Sequence, residues 1–291
     1  MPAGAQTAVV TDSTSYLPEE MIAANDIHTV SLYVTLGGEQ RREGDIPPSE
    51  YSDFYEQLRR SEAGATTSQP SVGDFIAAYE PLLAEGQEVV SIHISAGISG
   101  TCDAARQARD QLEGKGGERI RVFDSRSGAG AQGLLALAAA KAAAGGASGA
   151  EALEAAQRAR DSLKIWFAVD TLEYLRKGGR IGAAQAWVGS ALQIKPILTL
   201  EEEITPVERV RTRRRAFERM VEYARERAAD DAGTWVVQHI QDPETARQLV
   251  DECRQIFGRD PVFVSEIGPV LGAHTGPGLL GVGGIRTGLL D

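Results

Sequence analysis

The sequence predicts an α/β protein in two domains. Residues 1–163 are predicted to form a parallel sheet in a three-layer arrangement, and residues 164–291 a smaller α+β domain with a mixed sheet. Short apolar runs alternate with helical patterns over the first part, which is typical of a parallel sheet covered on both faces. After residue 164 a hairpin pattern interrupts this alternation. A chain of 291 residues is long enough to build two cores.

The composition is that of a soluble globular protein, with 42% hydrophobic and 24% charged residues. The net charge of −11 argues against a nucleic-acid partner and against stable binding to an anionic membrane, so at most transient membrane contact is expected. The longest apolar stretch, residues 133–140, is much shorter than the roughly 20 residues that span a bilayer.

The distribution of cysteine and histidine predicts neither a metal site nor a cofactor. Cys102 and Cys253 are far apart in the sequence, which favours reduced thiols in the cytoplasm, and the four histidines are isolated from one another. Residues 1–6 lack the basic and apolar segments of a signal peptide. We therefore expect a cytoplasmic protein, and a monomer.

The helices and strands of the first domain are predicted from the periodicity of apolar residues and from residues typical of helix starts and turns. Pro18 and the acids after it predict a helix start, Ser148 with Glu151 predicts a capping box, and residues 131–144 are so rich in Ala and Leu that this helix should be buried on most sides. In chain order we expect a strand at 7–10, a helix from 18, a strand at 30–36, a helix at 49–60, a polar turn at 66–71, a helix at 72–85, a strand at 89–94, a helix from 104, a strand at 120–123, a helix at 131–144 and a helix ending near 162.

The second domain has a different pattern. The acidic run Glu201–Glu203 lies between two apolar segments and predicts a hairpin, and the glycine pair Gly178–Gly179 breaks a helical turn. In chain order we expect a strand at 165–169, a helical turn at 170–181, hairpin strands at 194–200 and 204–210, a helix at 213–229, a strand at 235–240, a helix at 243–257, a final strand at 262–267 and an apolar, glycine-rich tail at 274–281.

Three predicted parallel strands end in turns rich in Ser, Thr and Asp, at Asp12, Ser95 and Asp124. Ligands of open α/β sheets bind beyond the carboxyl ends of the strands, so these turns should converge. The turn from Ser95 to Thr101 also leads into a helix, whose first N–H groups lack internal partners and lie at the positive end of its dipole. The sequence therefore predicts that this turn holds an anionic group.

Six short segments, spread over nearly the whole length, point to a known family. The segments are Val10–Thr14, Thr67–Ser71, Ile94–Thr101, Phe123–Ser125, Leu175–Ile181 and His274–Gly278. In this order they make the chain resemble the DegV family, the fatty-acid-binding proteins that present fatty acid to a bacterial fatty acid kinase.

The resemblance implies a two-domain fold with one long-chain fatty acid buried between the domains. It implies that Thr67 and Ser99 bind the carboxylate, with Ser95 and Gly100 in the same ligand-binding turn, and that His274 lies near the head group or on the surface facing the kinase. The kinase would then phosphorylate the carboxylate to an acyl phosphate for phospholipid synthesis, while the binding protein itself performs no catalysis.

One residue departs from the family pattern. Ala96 stands where many members have a second serine, so this chain has one fewer hydroxyl donor if that serine binds the ligand.

Several of these residues have a purely structural alternative. Ser95 could satisfy backbone groups, and Thr67 could be a helix N-cap. For Asp12 and Asp124 we favour ordering of the turn, since an anion is a poor partner for a carboxylate. His93 lies within a strand and is expected to be a satisfied core residue.

A basic run in this acidic chain has two interpretations, and so has Arg180, which follows two glycines. The run comprises Arg209, Arg211, Arg213, Arg214, Arg215 and Arg219. In the first interpretation Arg180, Arg211 and Arg213 dock an acidic partner such as the kinase. The alternative is a solvated helix face balanced by acids such as Glu218 and Glu222.

An enzyme hypothesis stays open beside the binding protein. Ser99 and His274 could act as nucleophile and base of a serine hydrolase or esterase, although the Gly-x-Ser-x-Gly spacing of a nucleophile elbow is missing. A nucleotide or phosphate binder is the third hypothesis, and the sequence has neither a Gly-x-Gly-x-x-Gly motif nor a Walker-type lysine to favour it.

Overall fold

The computed structural model describes residues 7–188 and 194–290. Expectations for residues 1–6, and for part of the apolar region after residue 181, lie outside the described residues. No helix in the described ranges is long and apolar enough to cross a membrane.

The described strands, in chain order, are β1 (Thr7–Asp12), β2 (Ile27–Val30), β3 (Tyr33–Leu36), β4 (Glu39–Arg42), β5 (Thr66–Ser68), β6 (Glu88–His93), β7 (Ile120–Asp124), β8 (Lys164–Ala168), β9 (Lys195–Leu200), β10 (Ile204–Val210), β11 (Thr234–His239), β12 (Val264–Glu266) and β13 (Leu280–Ile285).

The described α-helices are α1 (Glu19–Ala24), α2 (Tyr51–Arg60), α3 (Val72–Ala84), α4 (Thr101–Gln111), α5 (Ala129–Ala144), α6 (Gly149–Ser162), α7 (Glu173–Lys177), α8 (Arg213–Ala229), α9 (Pro243–Phe257) and α10 (Pro269–Thr275). The capping box predicted at Ser148 and Glu151 is present at the start of α6.

The strands form three sheets. A four-stranded parallel sheet has the order β2-β1-β6-β7, and a six-stranded mixed sheet has the order β10-β9-β8-β13-β11-β12. The parallel N-terminal sheet and the separate mixed sheet confirm the predicted fold class. The strands of the parallel sheet come before residue 164 in the sequence, and those of the mixed sheet begin at that residue. The division into two domains there stays a prediction.

Helix α5 packs between the two large sheets. Its buried leucines share a core cluster with Val9 and Val90 of the parallel sheet and with Val236 and Ile285 of the mixed sheet. Only Lys141, Ala142 and Ala144 of this helix escape full burial. The predicted burial on most sides is therefore confirmed, and small alanines let both sheets approach the helix closely.

Three expectations about strands were wrong. The single strand at 30–36 is two strands, β2 and β3, which belong to different sheets. The polar turn at 66–71 contains β5, which pairs with β3 in a small antiparallel sheet with β4.

The third error concerns the end of the chain. The strand predicted at 262–267 is only the short edge strand β12, and the last strand is β13, which begins at the end of the predicted tail and lies between β8 and β11. Its alternating glycines remove the apolar side chains that normally mark one face of a strand.

Candidate ligand-binding site

The turns after β1, β6 and β7 converge at one edge of the parallel sheet, as predicted. Asp12 at the end of β1 accepts a hydrogen bond from the backbone N–H of Ile94, at 3.0 Å. Asp124 at the end of β7 accepts one from the N–H of Ala96, at 3.2 Å. Both aspartates thus order the turn that follows β6, in agreement with the structural reading.

A buried chain of hydrogen bonds lies beneath this turn. Asp12 is 3.0 Å from Nδ1 of His93, whose Nε2 is 2.6 Å from the hydroxyl of Ser91, which in turn lies 2.7 Å from the hydroxyl of Tyr79. The first three residues repeat the order of a catalytic triad, but all three are completely buried. No substrate can reach this serine, so this row of hydrogen bonds stabilises the core. His93 is therefore the satisfied core residue predicted from the sequence.

Two connected pockets lie beyond the turn. The first, here called the head pocket, is lined by Thr67, Ser99, Arg180 and His274 together with apolar side chains. The second, the tail pocket, is lined mainly by apolar residues of the mixed sheet, with further apolar residues from α5, α10 and the turn after β6. Both pockets share the residues Ile98, Ile204, Leu271 and Thr275. Together they form one cavity with a polar and an apolar end.

Thr67 and His274 meet in the head pocket. The hydroxyl of Thr67 on β5 lies 2.7 Å from Nε2 of His274 near the end of α10. Burial and the nearby guanidinium of Arg180 lower the pKa of His274 to about 4, so its ring is neutral at pH 7. Within the described residues Nδ1 has no hydrogen-bond partner, and the ring packs against Gly178 on that side.

The neutral ring fixes the direction of the Thr67 hydroxyl. A neutral imidazole has a single N–H, and an N–H at Nδ1 would be buried without an acceptor, so the proton belongs on Nε2. Nε2 then donates to the oxygen of Thr67, which leaves the hydroxyl hydrogen of Thr67 free to point at a ligand. His274 therefore leaves Thr67 able to donate a hydrogen bond into the head pocket.

Replacing His274 by glutamine is expected to reduce the loss of stability on acidification. The folded pKa is about 4 and the ordinary value is 6.5, so the unfolded chain binds the proton first and this histidine destabilises the folded state as the pH falls from 6.5 toward 4. Between about pH 7 and pH 4.5 the difference is about 2–3 kcal/mol of unfolding free energy. Urea denaturation of both proteins at the two pH values measures it; equal pH dependence would contradict a buried neutral imidazole.

Ser99 lies at the start of α4 with its hydroxyl 2.8 Å from that of Thr101. Its oxygen also accepts from the backbone N–H of Thr101, at 3.3 Å. Gly100, next to it, is closely covered by the side chain of Gln69: a Cβ at Gly100 would lie 2.9 Å from Nε2 of Gln69. Glycine at this position therefore lets the segment that carries Thr67 approach the segment that carries Ser99.

Ser95 is not brought into the head pocket. It is fully buried, and its hydroxyl donates to the carbonyl oxygen of Glu202, at 2.6 Å. This bond ties the turn to the β9–β10 hairpin of the mixed sheet and favours the backbone-satisfying role. Ala96 is exposed and lines a polar outer pocket, together with Gly97, that opens from the head pocket to the surface.

Arg180 lies in the cavity, a position that the sequence did not indicate. Its Nη1 donates to the carbonyl oxygen of Gly178 at 2.7 Å and its Nε to that of Ile98 at 3.2 Å. It lines the head pocket and the outer pocket, and it forms no ion pair with any described residue. An arginine held by backbone carbonyls, without a carboxylate of its own, is a ready partner for an anionic ligand.

The other candidate docking arginines lie on the surface. Arg213 forms an ion pair with Asp170 and is more than half exposed. Arg211 is exposed and has no ion pair in the described part of the chain. The arginines that follow them pair with Glu208, Glu218 and Glu222, which agrees with a solvated helix face.

The hydrolase hypothesis lacks a nucleophile–base pair. Ser99 and His274 both line the head pocket, but the serine bonds to Thr101 and the histidine to Thr67. With its pKa lowered to about 4, His274 is also a weak base for activating a hydroxyl.

A buried glutamate that the sequence analysis did not single out positions α10. The carboxylate of Glu43 accepts from the N–H of Val270 in the first turn of α10, at 2.8 Å, and from the hydroxyl of Tyr16, at 2.7 Å. Burial raises the pKa of Glu43 to about 7. Tyr55 donates to the carbonyl oxygen of Ile267 just before the helix, at 2.7 Å. These bonds anchor the helix that carries His274.

Comparison with known proteins points to one family. A family model described as "Uncharacterised protein, DegV family" matches residues 6–287. A DegV domain-containing protein of Streptomyces coelicolor is 42% identical over 278 residues, which cover 94% of this chain and 96% of that protein.

Two solved structures are also similar. A DegV family protein of Thermus thermophilus, described by its fatty acid binding, is 33% identical with a TM-score of 0.85, covering 97% of this chain and 99% of that chain. DegV of Bacillus subtilis, described as a fatty acid binding protein, is 35% identical with a TM-score of 0.84, covering 97% and 100%.

Proposed function

This chain belongs to the DegV family, and on that basis we propose that it is a lipid-binding protein that encloses one long-chain fatty acid. The observation that carries the proposal is the continuity of a polar head pocket with an apolar tail pocket. Such a cavity suits a molecule with one anionic end and a long hydrocarbon chain.

The head pocket suits a carboxylate. Thr67 offers its hydroxyl hydrogen, Ser99 lies in the turn opposite, and Arg180 supplies a positive charge. None of the described residues that line this pocket is acidic. Hydrogen bonds to a charged group contribute about 1.5–3 kcal/mol each, less the cost of removing the anion from water.

The tail pocket supplies most of the affinity. A chain with about 14 buried CH₂ groups gains about 11 kcal/mol at roughly 0.8 kcal/mol each. The head-group donors therefore mainly orient the ligand, with its carboxylate toward the outer pocket.

The orientation of the carboxylate fits a protein that presents its ligand to a fatty acid kinase. The outer pocket, formed by residues around Gly97 and Arg180, connects the head pocket with the surface. A kinase docked there, with Arg180, Arg211 and Arg213 as contacts, would transfer the γ-phosphoryl group of ATP to the carboxylate. The product is an acyl phosphate for phospholipid synthesis, and the chain stays in the tail pocket. In this role the protein acts as a cytoplasmic monomer with transient membrane contact.

Mass spectrometry of the purified protein tests the proposal. Native spectra should show one bound fatty acid, and denaturing extraction should release it. A protein that is empty and fails to bind added fatty acid would overturn the proposal. Incubating the loaded protein with a bacterial fatty acid kinase and ATP tests the second step: acyl phosphate should form, and its absence would remove the kinase role while leaving the binding role intact.

A further inference from the structure

The floor of the tail pocket is a row of glycines on the strand β13. Gly281 lies between Phe167 of β8 and Gln238 of β11, and these three residues face the cavity. The next residue on that face is Gly283, which lies between Ile165 of β8 and Val236 of β11. Large side chains flank a strand that carries none on this face, so the sheet forms a trough that runs along β13.

The trough depends on the absence of side chains. A Cβ at Gly281 would lie 3.2 Å from Cβ of Phe167, and one at Gly283 would lie 3.0 Å from Cβ of Ile165. Val282, between them, points to the opposite face and packs in the core beneath α8 and α9. The opposite face of β13 carries the side chains of Leu280 and Val282 before glycine recurs at position 284, whereas the cavity face has no side chain at either 281 or 283.

The glycine row ends at Ile285. Side chains alternate between the faces of a strand, so Ile285 is the next residue after Gly283 on the cavity side. It is completely buried and belongs to the core cluster of α5. A branched side chain thus stands where the trough would otherwise continue along the strand.

Next to the Ile285 end the described wall of the trough consists of Ile165 and Val236, and Gln238, farther away beside Gly281, is hydrogen-bonded to neighbouring residues. The side-chain oxygen of Gln238 accepts from the N–H of Gly130, and its nitrogen donates to the hydroxyl of Ser265, at 2.9 Å. The remaining wall residues near it are apolar. This end of the cavity is suited to an unmodified methyl terminus.

We propose that the Gly281–Gly283 trough holds the distal half of a fatty acyl chain and that Ile285 is the stop that sets its maximum length. The inference rests on the proposed fatty-acid binding and adds the residue that determines chain-length specificity. Truncating Ile285 to alanine removes three carbon atoms, which leaves room for about two further CH₂ groups at this end of the trough.

Competition among fatty acids tests the stop. Wild-type and Ile285→Ala proteins are each incubated with an equimolar mixture of saturated fatty acids of graded length, and the bound species are quantified by mass spectrometry. For Ile285→Ala, the ratio of the longest bound acid to one two carbons shorter should rise about tenfold, since two further CH₂ groups become buried. Gly283→Ala should shift the ratio the other way, because its methyl group raises the floor.

Val282→Ala is the matched control. It removes a similar volume from the same strand, but from the opposite face, so it should lower the melting temperature without changing the ratio. If Ile285→Ala does not fold, Ile285→Val tests the stop instead, and the ratio of longer to shorter bound acid should rise by a smaller factor.

The outcomes separate the two proposals. Folded Ile285 variants with the wild-type ratio would overturn the stop alone. A wild-type protein that binds none of the acids would overturn the proposed function.

Discussion

Replacement of Asp12 by alanine is expected to lower the free energy of unfolding by about 3–5 kcal/mol, because several buried hydrogen-bond donors lose their acceptor at about 1–3 kcal/mol each. The carboxylate is completely buried and accepts hydrogen bonds from His93 and from the N–H groups of Thr14 and Ile94. Without it these donors have no acceptor, and the turn that leads to Ser99 loses its anchor. The variant should therefore also lose bound fatty acid.

Thermal and urea denaturation measure the loss, and Asp103→Ala is the control. Asp103 lies in the first turn of α4 with 70% of its side chain exposed, so its removal should change stability by less than about 1 kcal/mol. An Asp12→Ala protein as stable as this control would show that the turn does not depend on the buried carboxylate.

The contribution of Asp12 also has a defined pH dependence. Burial alone would raise the pKa of Asp12, but hydrogen bonds and charge from His93, with those from Thr14 and Ile94, outweigh burial and lower it. The stabilisation is present above the unfolded pKa of about 3.9 and is lost as the pH falls through the lower folded value. The wild-type protein should lose this part of its stability only in strong acid.

Replacement of Arg180 by methionine is expected to weaken fatty-acid binding by about 10–100-fold, the loss of one charge-assisted hydrogen bond. Methionine keeps most of the apolar stem, so packing around Ile98 should change little. A fatty alcohol of the same length has no negative charge, and its affinity should be nearly unchanged. This difference isolates the head group from the tail.

Titration of both ligands into wild-type, Arg180→Met and Arg211→Met proteins measures the effect. Arg211 is exposed and lies outside the residues that line the cavity, so Arg211→Met should bind both ligands like the wild type. Equal losses for acid and alcohol in Arg180→Met would show that the arginine supports packing and does not bind the carboxylate.

Local patterns in the sequence predicted much of the fold and part of the candidate site. Strand ends rich in Asp and Ser predicted the convergent turns, and short family motifs predicted a ligand-binding role for Thr67 and Ser99, which the structure brings to one pocket. Arg180 stays a candidate docking residue, but its place in the cavity was not foreseen, because its carbonyl partners are visible only in three dimensions. Glu43 was missed because its partner in α10, Val270, lies 227 residues further along the chain. The strand β13 was missed because glycines leave no hydrophobic period to detect.

The two sides of the head pocket come from opposite ends of the chain, with consequences for how the protein folds. Thr67 and His274 are 207 positions apart, and Tyr16 and Leu271, which help to anchor α10, are 255 apart. Contacts of such high sequence separation close long loops and form slowly. Because a chain emerges from the ribosome with its N-terminal part first, the cavity cannot close until α10 has been synthesised. Ligand capture is therefore a post-translational event in the life of each molecule, and a nascent chain exposes the apolar lining of the cavity until then.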